Sequence, residues 1–397
     1  MVGNRNLTKR TQVLIVGAGP AGLLLGCLLD RAGIDNVILE RQTKDYVLAR
    51  IRAGILEQTT VDLLTIAGAG ERLAKEGIAH HAVNIAFNDR LVSVPLGATT
   101  NGKVVTAYGQ TEVTRDLCDL RASGANQTIY SAENVEIHDF DRERPYVRFV
   151  HNGQAMEIAC DLIAGCDGFH GVCRASIPKR SIKTYGQLYP FGWLGLLSDT
   201  PPVSTEVIYA NNDRGFALCS MRSMTRSRYY IQCDPNDKIE RWSDDAFWDE
   251  LRLRLPSQTA DELTTGPSLE KSIAPLRSFV AEPIQFGRLL LAGDAAHVVP
   301  PTGAKGLNLA FSDIHYLHEA IEQFFADGEK AALTLYSKKA LARVWKTERF
   351  SWYLTNLTHR FNEDPFEQKM KEAELDYITS SPAGRLMMAE NYVGLPL

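Results

Sequence analysis

Residues 12–41 read QVLIVGAGPAGLLLGCLLDRAGIDNVILER, and this stretch decides the fold of the N-terminal part of the chain. Residues 13–16 form a short continuous apolar run, which predicts a strand that is buried on both faces. A helical pattern over residues 23–32 and a second strand over 37–39 come after it. Between the first strand and the helix, the spacing Gly-x-Gly-x-x-Gly is formed by Gly17, Gly19 and Gly22.

These glycines have a physical role at that position. They permit a tight turn, a close approach of the backbone to a pyrophosphate and close packing of helix on strand, while the helix N-terminus donates N–H groups to phosphate oxygens. Glu40 ends the second strand, where a carboxylate accepts hydrogen bonds from the hydroxyls of an adenosine ribose. A glycine-rich turn without a ligand is the alternative, but strand, loop, helix, strand and acid all occur in order. The stretch therefore predicts an α/β domain that binds FAD or NAD(P), without deciding between the two.

Composition sets the broad class of the protein. The chain has 397 residues, 45% of them hydrophobic and 23% charged, which is enough for two or three folded domains. A net charge of −5 argues against a protein that binds nucleic acid through bulk charge. The seven cysteines include no Cys-x-x-Cys pair, and the N-terminus has no signal-peptide core, so we expect a cytoplasmic protein that is not bound to a membrane. His315 and His318 lack a third ligand, so no metal site is predicted.

Two later strands also end in a carboxylate. Residues 161–166 lead into Asp167-Gly168, and residues 288–292 lead into Gly293-Asp294 ahead of a helical pattern from about Lys305. Such a carboxylate can bind a sugar-alcohol hydroxyl, and the helix that follows presents its positive end to the flavin edge that becomes negative on reduction. With the glycine loop, these motifs resemble the triplet of the single-component flavoprotein aromatic hydroxylases. The related flavin halogenases carry a Trp-x-Trp-x-Ile-Pro motif that is absent here.

The resemblance is closest to the 4-hydroxybenzoate 3-monooxygenase family. The similar segments, in that family's order, are 38–58, 108–117, 164–171, 189–197, 269–279, 291–310 and 389–396. The resemblance implies hydroxylation of 4-hydroxybenzoate to protocatechuate with NAD(P)H and O₂, through a flavin C4a-hydroperoxide, in a homodimer. A hydroxylase of a related acid, such as 3-hydroxybenzoate, protocatechuate or an aminobenzoate, is the nearest alternative. A non-catalytic FAD- or nucleotide-binding protein is another.

A cluster of positive charge at residues 219–232, CSMRSMTRSRYYIQ, predicts the substrate site. Residues 216–222 and 226–233 are interpreted as two strands joined by a three-residue loop, with position 222 opposite 226 and 220 opposite 228. The polar side chains then share one face of the hairpin. A solvated sheet face is the ordinary interpretation of such a cluster, but no acidic residue balances the arginines, and an arginine fork suits a carboxylate.

Individual roles follow only from the resemblance. Ser220, Arg222 and Tyr230 are expected to bind the substrate carboxylate, and Arg226 is left without a role. Tyr209 and Tyr392 are expected to pass the proton of the substrate phenol towards His80, and the backbone of Pro301 to accept a hydrogen bond from the hydroxyl. For FAD, the expected residues are Gly17, Gly19, Gly22, Glu40, Arg50, Arg52, Gln110, Asp167, Arg228, Asp294, Gly303, Leu307 and Asn308.

The reductant is expected to contact Arg41, Tyr46, Arg50, His170 and Arg277. Arginines beside a ribose favour a 2′-phosphate, so NADPH is the predicted donor, with NADH left open. Lys44 stands where the family pattern has a proline.

We expect a Rossmann-like FAD-binding domain over residues 1–182 with a β excursion near 81–107. A mixed β-sheet substrate domain follows over 183–276, and an FAD-contacting, largely helical part over 277–397.

Overall fold

The computed structural model describes residues 9–49, 54–328 and 330–397. Its strands are β1 Val13–Val16, β2 Asn36–Leu39, β3 Ile55–Leu56, β4 Ile78–His80, β5 Ala82–Phe87, β6 Arg90–Pro95, β7 Val105–Ala107, β8 Gln127–Ile129, β9 Glu133–His138, β10 Tyr146–His151, β11 Gln154–Ala159, β12 Leu162–Gly165, β13 Lys183–Ser198, β14 Val207–Ala210, β15 Ala217–Ser223, β16 Arg226–Cys233, β17 Ser268–Glu282, β18 Gln285–Phe286, β19 Leu289–Leu291 and β20 His297–Val298. Its α-helices are α1 Pro20–Arg31, α2 Lys44–Ala49, α3 Gln58–Ala67, α4 Glu71–Glu76, α5 Gln110–Ser123, α6 Val172–Ser176, α7 Asp244–Arg252, α8 Ser257–Asp261, α9 Gly306–Asp327, α10 Lys330–Thr358, α11 Pro365–Ser380 and α12 Pro382–Val393.

A six-stranded sheet in the order β18-β19-β12-β1-β2-β8 organises the nucleotide-binding part. Strand β1 lies parallel to both β12 and β2, and all four of its residues are buried, which confirms the predicted strand. Strands β12 and β19 are also parallel. Because the carboxyl ends of parallel strands meet at one edge of the sheet, the predicted glycine loop, Glu40, Asp167 and Asp294 lie along that edge. The α/β fold predicted from the sequence is confirmed.

An eight-stranded mixed sheet, β20-β17-β13-β16-β15-β14-β5-β6, forms the second layer. Its central hairpin, β15–β16, is the one predicted from the arginine cluster. Strand β14 carries Tyr209 and pairs in parallel with β5, which belongs to the stretch 81–107. Strand β20 pairs with β17 next to the 3-10 helix that contains Asp294. The sheet therefore runs from the predicted substrate residues to the predicted flavin edge.

The register of this hairpin is partly as predicted. Ser220 pairs with Arg228 as expected, but Arg226 pairs with Ser223 and not with Arg222. A β-bulge between Met221 and Ser223 inserts Arg222 as an extra residue, so the connecting loop is two residues long instead of three. Like charges directly opposite each other destabilise a hairpin, and the bulge removes Arg222 from that position opposite Arg226.

The C-terminal helices close the structure over the two sheets. Helix α9 packs against α1 and α10, and α12 places Tyr392 in a buried cluster with Tyr209. Within the described residues, no helix is both long enough and apolar enough to cross a membrane.

Candidate active site

Of the three glycines in the loop, the fold itself requires Gly17 and Gly22, whereas Gly19 has open space beside it. Gly17 has φ +107°, and a Cβ there would lie 2.4 Å from the carbonyl oxygen of Cys166. A Cβ on Gly22 would lie 2.0 Å from the carbonyl oxygen of Gly17. Gly19 is different, because nothing lies within 4 Å of the position of its Cβ. It is the N-cap of α1, so the space beside it leads to the free N–H groups of that helix, where a pyrophosphate is bound.

Two carboxylates flank this loop. Glu40 accepts hydrogen bonds from the backbone N–H groups of Ala18 and Gln42, both at 2.9 Å, and so ties the end of β2 to the loop. Asp167 accepts one bond from the N–H of Cys173 at 2.8 Å, while its Oδ1 is buried without a hydrogen-bond partner. Burial raises the pKa of Asp167. The unpaired Oδ1 of Asp167 can accept a hydrogen bond from a hydroxyl of FAD. The open position at Gly19 leaves room for the FAD phosphates.

Three other predicted flavin residues lie at helix N-termini. Gln110 begins α5, and Leu307 and Asn308 lie in the first turn of α9. The Asn308 side chain is already used, because it donates to the carbonyl of Ile55 and accepts from the N–H of Glu57, both at 2.9 Å. Only its backbone is free to contact a cofactor. Arg50 and Arg52 lie outside the described residues.

Two of the residues predicted for the reductant meet at one aromatic side chain. The guanidinium of Arg277 lies 4.6 Å from the ring centroid of Phe169, and the ring of His170 packs edge-on against Phe169 at 4.9 Å. Arg41 precedes α2 and Tyr46 lies within it, and both side chains are exposed. Among the described residues, no contact joins either of them to Phe169 or His170.

The polar face of the hairpin is buried or half-buried except at Arg226, which excludes the solvated-face interpretation for the rest of that face. Ser220 and Arg228 are 7% and 6% exposed. Arg222 donates to the hydroxyl of Ser220 at 3.4 Å, and none of the described carboxylates forms an ion pair with it. Burial lowers the pKa of Arg222, and its contact with Tyr230 offsets part of that effect. A half-buried cation without a counter-charge is costly, so the geometry favours a bound anion.

The other two arginines of the hairpin each have a carboxylate partner. Arg228 lies 3.2 Å from Glu270 and donates to the hydroxyl of Ser272 at 3.1 Å. Arg226 is exposed and pairs with Asp199 at 2.6 Å. Arg222 is therefore the one arginine of this hairpin that is available to bind a substrate carboxylate.

Tyr209 and Tyr392 meet beneath the glycine-rich segment that precedes α9. Their hydroxyl oxygens are 3.4 Å apart, and the N–H of Gly303 donates to the Tyr209 hydroxyl at 3.2 Å. Both rings are almost completely buried, at 2% and 1% exposure. Burial raises the pKa of each, so both hydroxyls stay neutral near pH 7.

The remaining predicted residues, Pro301 and His80, have partners of their own. The Pro301 carbonyl accepts the N–H of Ala304 at 3.0 Å, which leaves its second lone pair for a ligand. His80 is buried at 1% exposure, and its Nδ1 lies 3.1 Å from a carboxylate oxygen of Glu206.

A buried ionic clamp, formed by Glu57, Lys305 and Arg343, was missed by the sequence analysis. Lys305 donates to Glu57 at 2.7 Å and to the Tyr392 carbonyl at 2.8 Å. Arg343 lies 3.4 Å from Glu57 and donates to the carbonyl of Leu395 at 2.7 Å. The clamp fixes the segment that carries Tyr392. Its members are far apart in sequence and follow no motif, so no sequence signal indicated it.

Comparison with known proteins agrees with this geometry. Residues 10–351 match the family model described as FAD binding domain. The chain is 57% identical over 390 residues to p-hydroxybenzoate hydroxylase from Acinetobacter baylyi, covering 98% of this chain and 96% of that protein. It is 26% identical to 6-hydroxynicotinate 3-monooxygenase from Bordetella bronchiseptica, over 90% of this chain and 94% of that one.

Solved structures share the fold. The p-nitrophenol 4-monooxygenase of Pseudomonas putida superposes with a TM-score of 0.83 at 18% identity, covering 98% of this chain and 100% of that one. A family model that spans most of the chain, together with a relative of such high identity, shows the family. The chain therefore belongs to the FAD-binding-domain family and, within it, to the FAD-dependent aromatic hydroxylases.

Proposed function

We propose that the protein hydroxylates 4-hydroxybenzoate at the 3-position to give protocatechuate, with FAD as cofactor and O₂ as the oxygen source. The observation that carries this proposal is Arg222, a half-buried guanidinium without a carboxylate partner among the described residues, in the same sheet as Tyr209. A 4-hydroxybenzoate has a carboxylate for the arginine and a phenol for the tyrosine. The p-hydroxybenzoate hydroxylase of Acinetobacter baylyi, at 57% identity, supports this substrate.

The residues around the substrate carboxylate bind and orient the substrate. Arg222 offers a planar two-pronged donor, and Ser220 and Tyr230 add neutral hydroxyl donors beside it. Arg228 keeps Glu270 as its partner, so its charge is compensated and it does not compete with Arg222 for the substrate.

The residues around the substrate phenol accept its proton and transfer it onwards. A free phenol loses its proton near pH 10, and the ring reacts faster as a phenolate because the oxyanion pushes electron density onto the neighbouring carbon. Gly303 donates to the Tyr209 oxygen, so the O–H of Tyr209 is free to point either to Tyr392 or to a substrate oxygen. The two hydroxyls can therefore exchange protons in series. A protein that only bound a nucleotide would have no use for such a pair.

FAD fits the open glycine loop, with Asp167 and Gln110 beside it, and when bound it supplies the transfer of one oxygen atom from O₂ to the ring. For the reductant we propose NADPH, held by Arg277 and His170 around Phe169. We also propose a homodimer: Trp345 and Trp352 of α10 are 39% and 46% exposed, which is unusual for tryptophan. Sedimentation at several protein concentrations tests that part.

The central test uses the purified holoprotein with a panel of benzoates. We expect 4-hydroxybenzoate to stimulate NADPH oxidation and to be converted into protocatechuate in nearly equal amounts. Stimulation by an aminobenzoate or by 3-hydroxybenzoate, with none by 4-hydroxybenzoate, would replace the proposed substrate. NADPH oxidation that no benzoate alters would remove the proposed function.

A further inference from the structure

The residue expected to end the proton relay does not itself reach solvent. His80 lies in β4, which pairs with β7, and only 1% of its surface is exposed. A proton that arrives at His80 must leave through a neighbouring group.

Glu206 is that neighbour. It precedes β14, the strand that carries Tyr209, and its Oε2 lies 3.1 Å from Nδ1 of His80. Its Oε1 accepts the backbone N–H of His81 at 3.0 Å. The Glu206 side chain is 20% exposed, whereas the His80 side chain is 1% exposed. The carboxylate therefore joins a buried imidazole to the solvent.

The contact also determines which nitrogen of His80 can take up a proton. A carboxylate beside Nδ1 favours the tautomer with its proton on that atom. The lone pair of Nε2 is then free, and Nε2 has no hydrogen-bond partner among the described residues. A proton on Nδ1 therefore faces Oε2 of Glu206 across 3.1 Å. A base fixed in one tautomer by a carboxylate is the arrangement that suits proton uptake.

Two titratable groups among the described residues interact with the carboxylate of Glu206, His80 and Tyr392, while His81 contacts it through its backbone N–H. Burial alone raises the pKa of Glu206, but the contacts with His80 and with the N–H groups of His81 and Ala82 lower it below its usual range. The Glu206 charge in turn helps to raise the pKa of Tyr392, after burial and the neighbouring Tyr209. Glu206 is thus ionised near neutral pH and acts electrostatically on the second tyrosine of the relay.

We propose that Glu206 is the positioning residue at the exit of the relay, which holds the Nδ1–H tautomer of His80 and passes the proton to solvent. This inference rests on the proposed function. In the step, the O–H bond of the substrate phenol breaks and its electron pair stays on oxygen. A proton bonds to Nε2 of His80, and the Nδ1 proton leaves through the Glu206 carboxylate to water. Nothing is oxidised or reduced, and one proton leaves for each phenolate formed.

The test compares Glu206→Gln with Glu206→Asp in the FAD-loaded enzyme. Glutamine keeps an oxygen that can accept the N–H of His81, so a purely structural role of Glu206 survives the substitution. The exposed Glu133→Gln serves as the matched control. The readout is the absorbance change of bound 4-hydroxybenzoate as its phenol ionises, followed as a pH titration and after a rapid pH jump.

For Glu206→Gln we expect the ionisation midpoint of the bound phenol to change little, because the proton ends in the solvent and His80 is neutral before and after the step. The rate of ionisation should fall about ten-fold. The Kd of 4-hydroxybenzoate should change less than two-fold, and Glu206→Asp should recover part of the rate. An unchanged rate in Glu206→Gln, with a normal parent enzyme, would overturn the proposal.

Two further outcomes are distinguishable. If Glu206→Gln loses FAD or unfolds at a lower temperature than the parent, Glu206→Asp alone tests the proposal. Aspartate places the carboxylate one methylene farther from His80. The proposal then requires slower ionisation of the bound phenol with a midpoint close to that of the parent. A parent enzyme that does not hydroxylate 4-hydroxybenzoate refutes the proposed function, and this inference with it.

Discussion

The hydroxyl oxygens of Tyr209 and Tyr392 lie 3.4 Å apart, although 183 residues separate them in the chain. One belongs to a strand of the eight-stranded sheet and the other to the last helix, so the contact exists only when both have packed. The ionic clamp of Glu57, Lys305 and Arg343 holds the second partner in place. The relay is thus a product of tertiary structure, and each of its members can be tested separately.

Replacing Tyr209 by Phe should uncouple the reaction. The ring remains, but the hydroxyl that we propose to receive the phenol proton is lost. We expect product formation to fall by about 10²-fold or more, the usual contribution of a positioned acid or base, while NADPH oxidation continues and H₂O₂ is released. Product and peroxide are measured together, with the exposed Tyr377→Phe as control. Fully coupled turnover in Tyr209→Phe would refute the relay.

Replacing Arg222 by Lys should weaken substrate binding. Lysine keeps the charge but loses the planar two-pronged geometry. We expect the Kd of 4-hydroxybenzoate to rise about ten-fold or more, corresponding to a loss of roughly 1.5 kcal/mol or greater for a charge-assisted hydrogen bond. Arg226→Lys in the same hairpin is the control, since Arg226 is exposed and paired with Asp199. Equal effects of the two substitutions, measured by titration of the flavin spectrum, would contradict the assignment of Arg222.

Two alanine substitutions should separate folding from cofactor binding in the glycine loop. Gly17→Ala meets the Cys166 carbonyl at 2.4 Å and a φ of +107°, so the apoprotein itself should be destabilised. Gly19→Ala meets nothing within 4 Å and should leave the melting temperature of the apoprotein unchanged. Its methyl group should nevertheless raise the Kd of FAD, measured by fluorescence quenching. Unaltered FAD affinity in Gly19→Ala would place the pyrophosphate elsewhere.

His359 should make stability depend on pH. It accepts the indole N–H of Trp193 at 2.7 Å, and burial lowers its pKa from 6.5 to about 3. Between pH 6.5 and about pH 3, His359 is protonated in the unfolded chain but not in the folded chain. The free energy of unfolding therefore falls as the pH decreases through this range. The loss from pH 7 to pH 5 should be about 2 kcal/mol.

The check is urea unfolding of the apoprotein at both pH values. His359→Gln keeps an acceptor for Trp193 but does not titrate, so its stability should fall less between pH 7 and pH 5. The exposed His81→Gln should behave like the parent. The same pH dependence in His359→Gln and in the parent would show that His359 is not responsible.

The sequence predicted those parts of the fold and site that local patterns encode. Strand β1, the glycine loop, α1 and β2 follow from apolar periodicity and glycine spacing, and the pairing of Ser220 with Arg228 follows from strand alternation. The position of Arg222 did not, because a bulge adds one residue without changing the pattern of side chains. Glu206 and His359 were missed because a single acid or histidine has no periodicity, and each gains its partner only through packing.

The bulge at Arg222 has a consequence for how such a site changes during evolution. The turn after it has two residues, Met224 and Thr225. Inserting or deleting one residue there would shift the register and exchange the two faces of β15, even if Arg222, Ser220 and Tyr230 were all retained. If this hairpin binds the substrate as proposed, its preference depends on the length of the turn as well as on side-chain identity. Related sequences that carry all three residues but a longer or shorter turn should select different substrates.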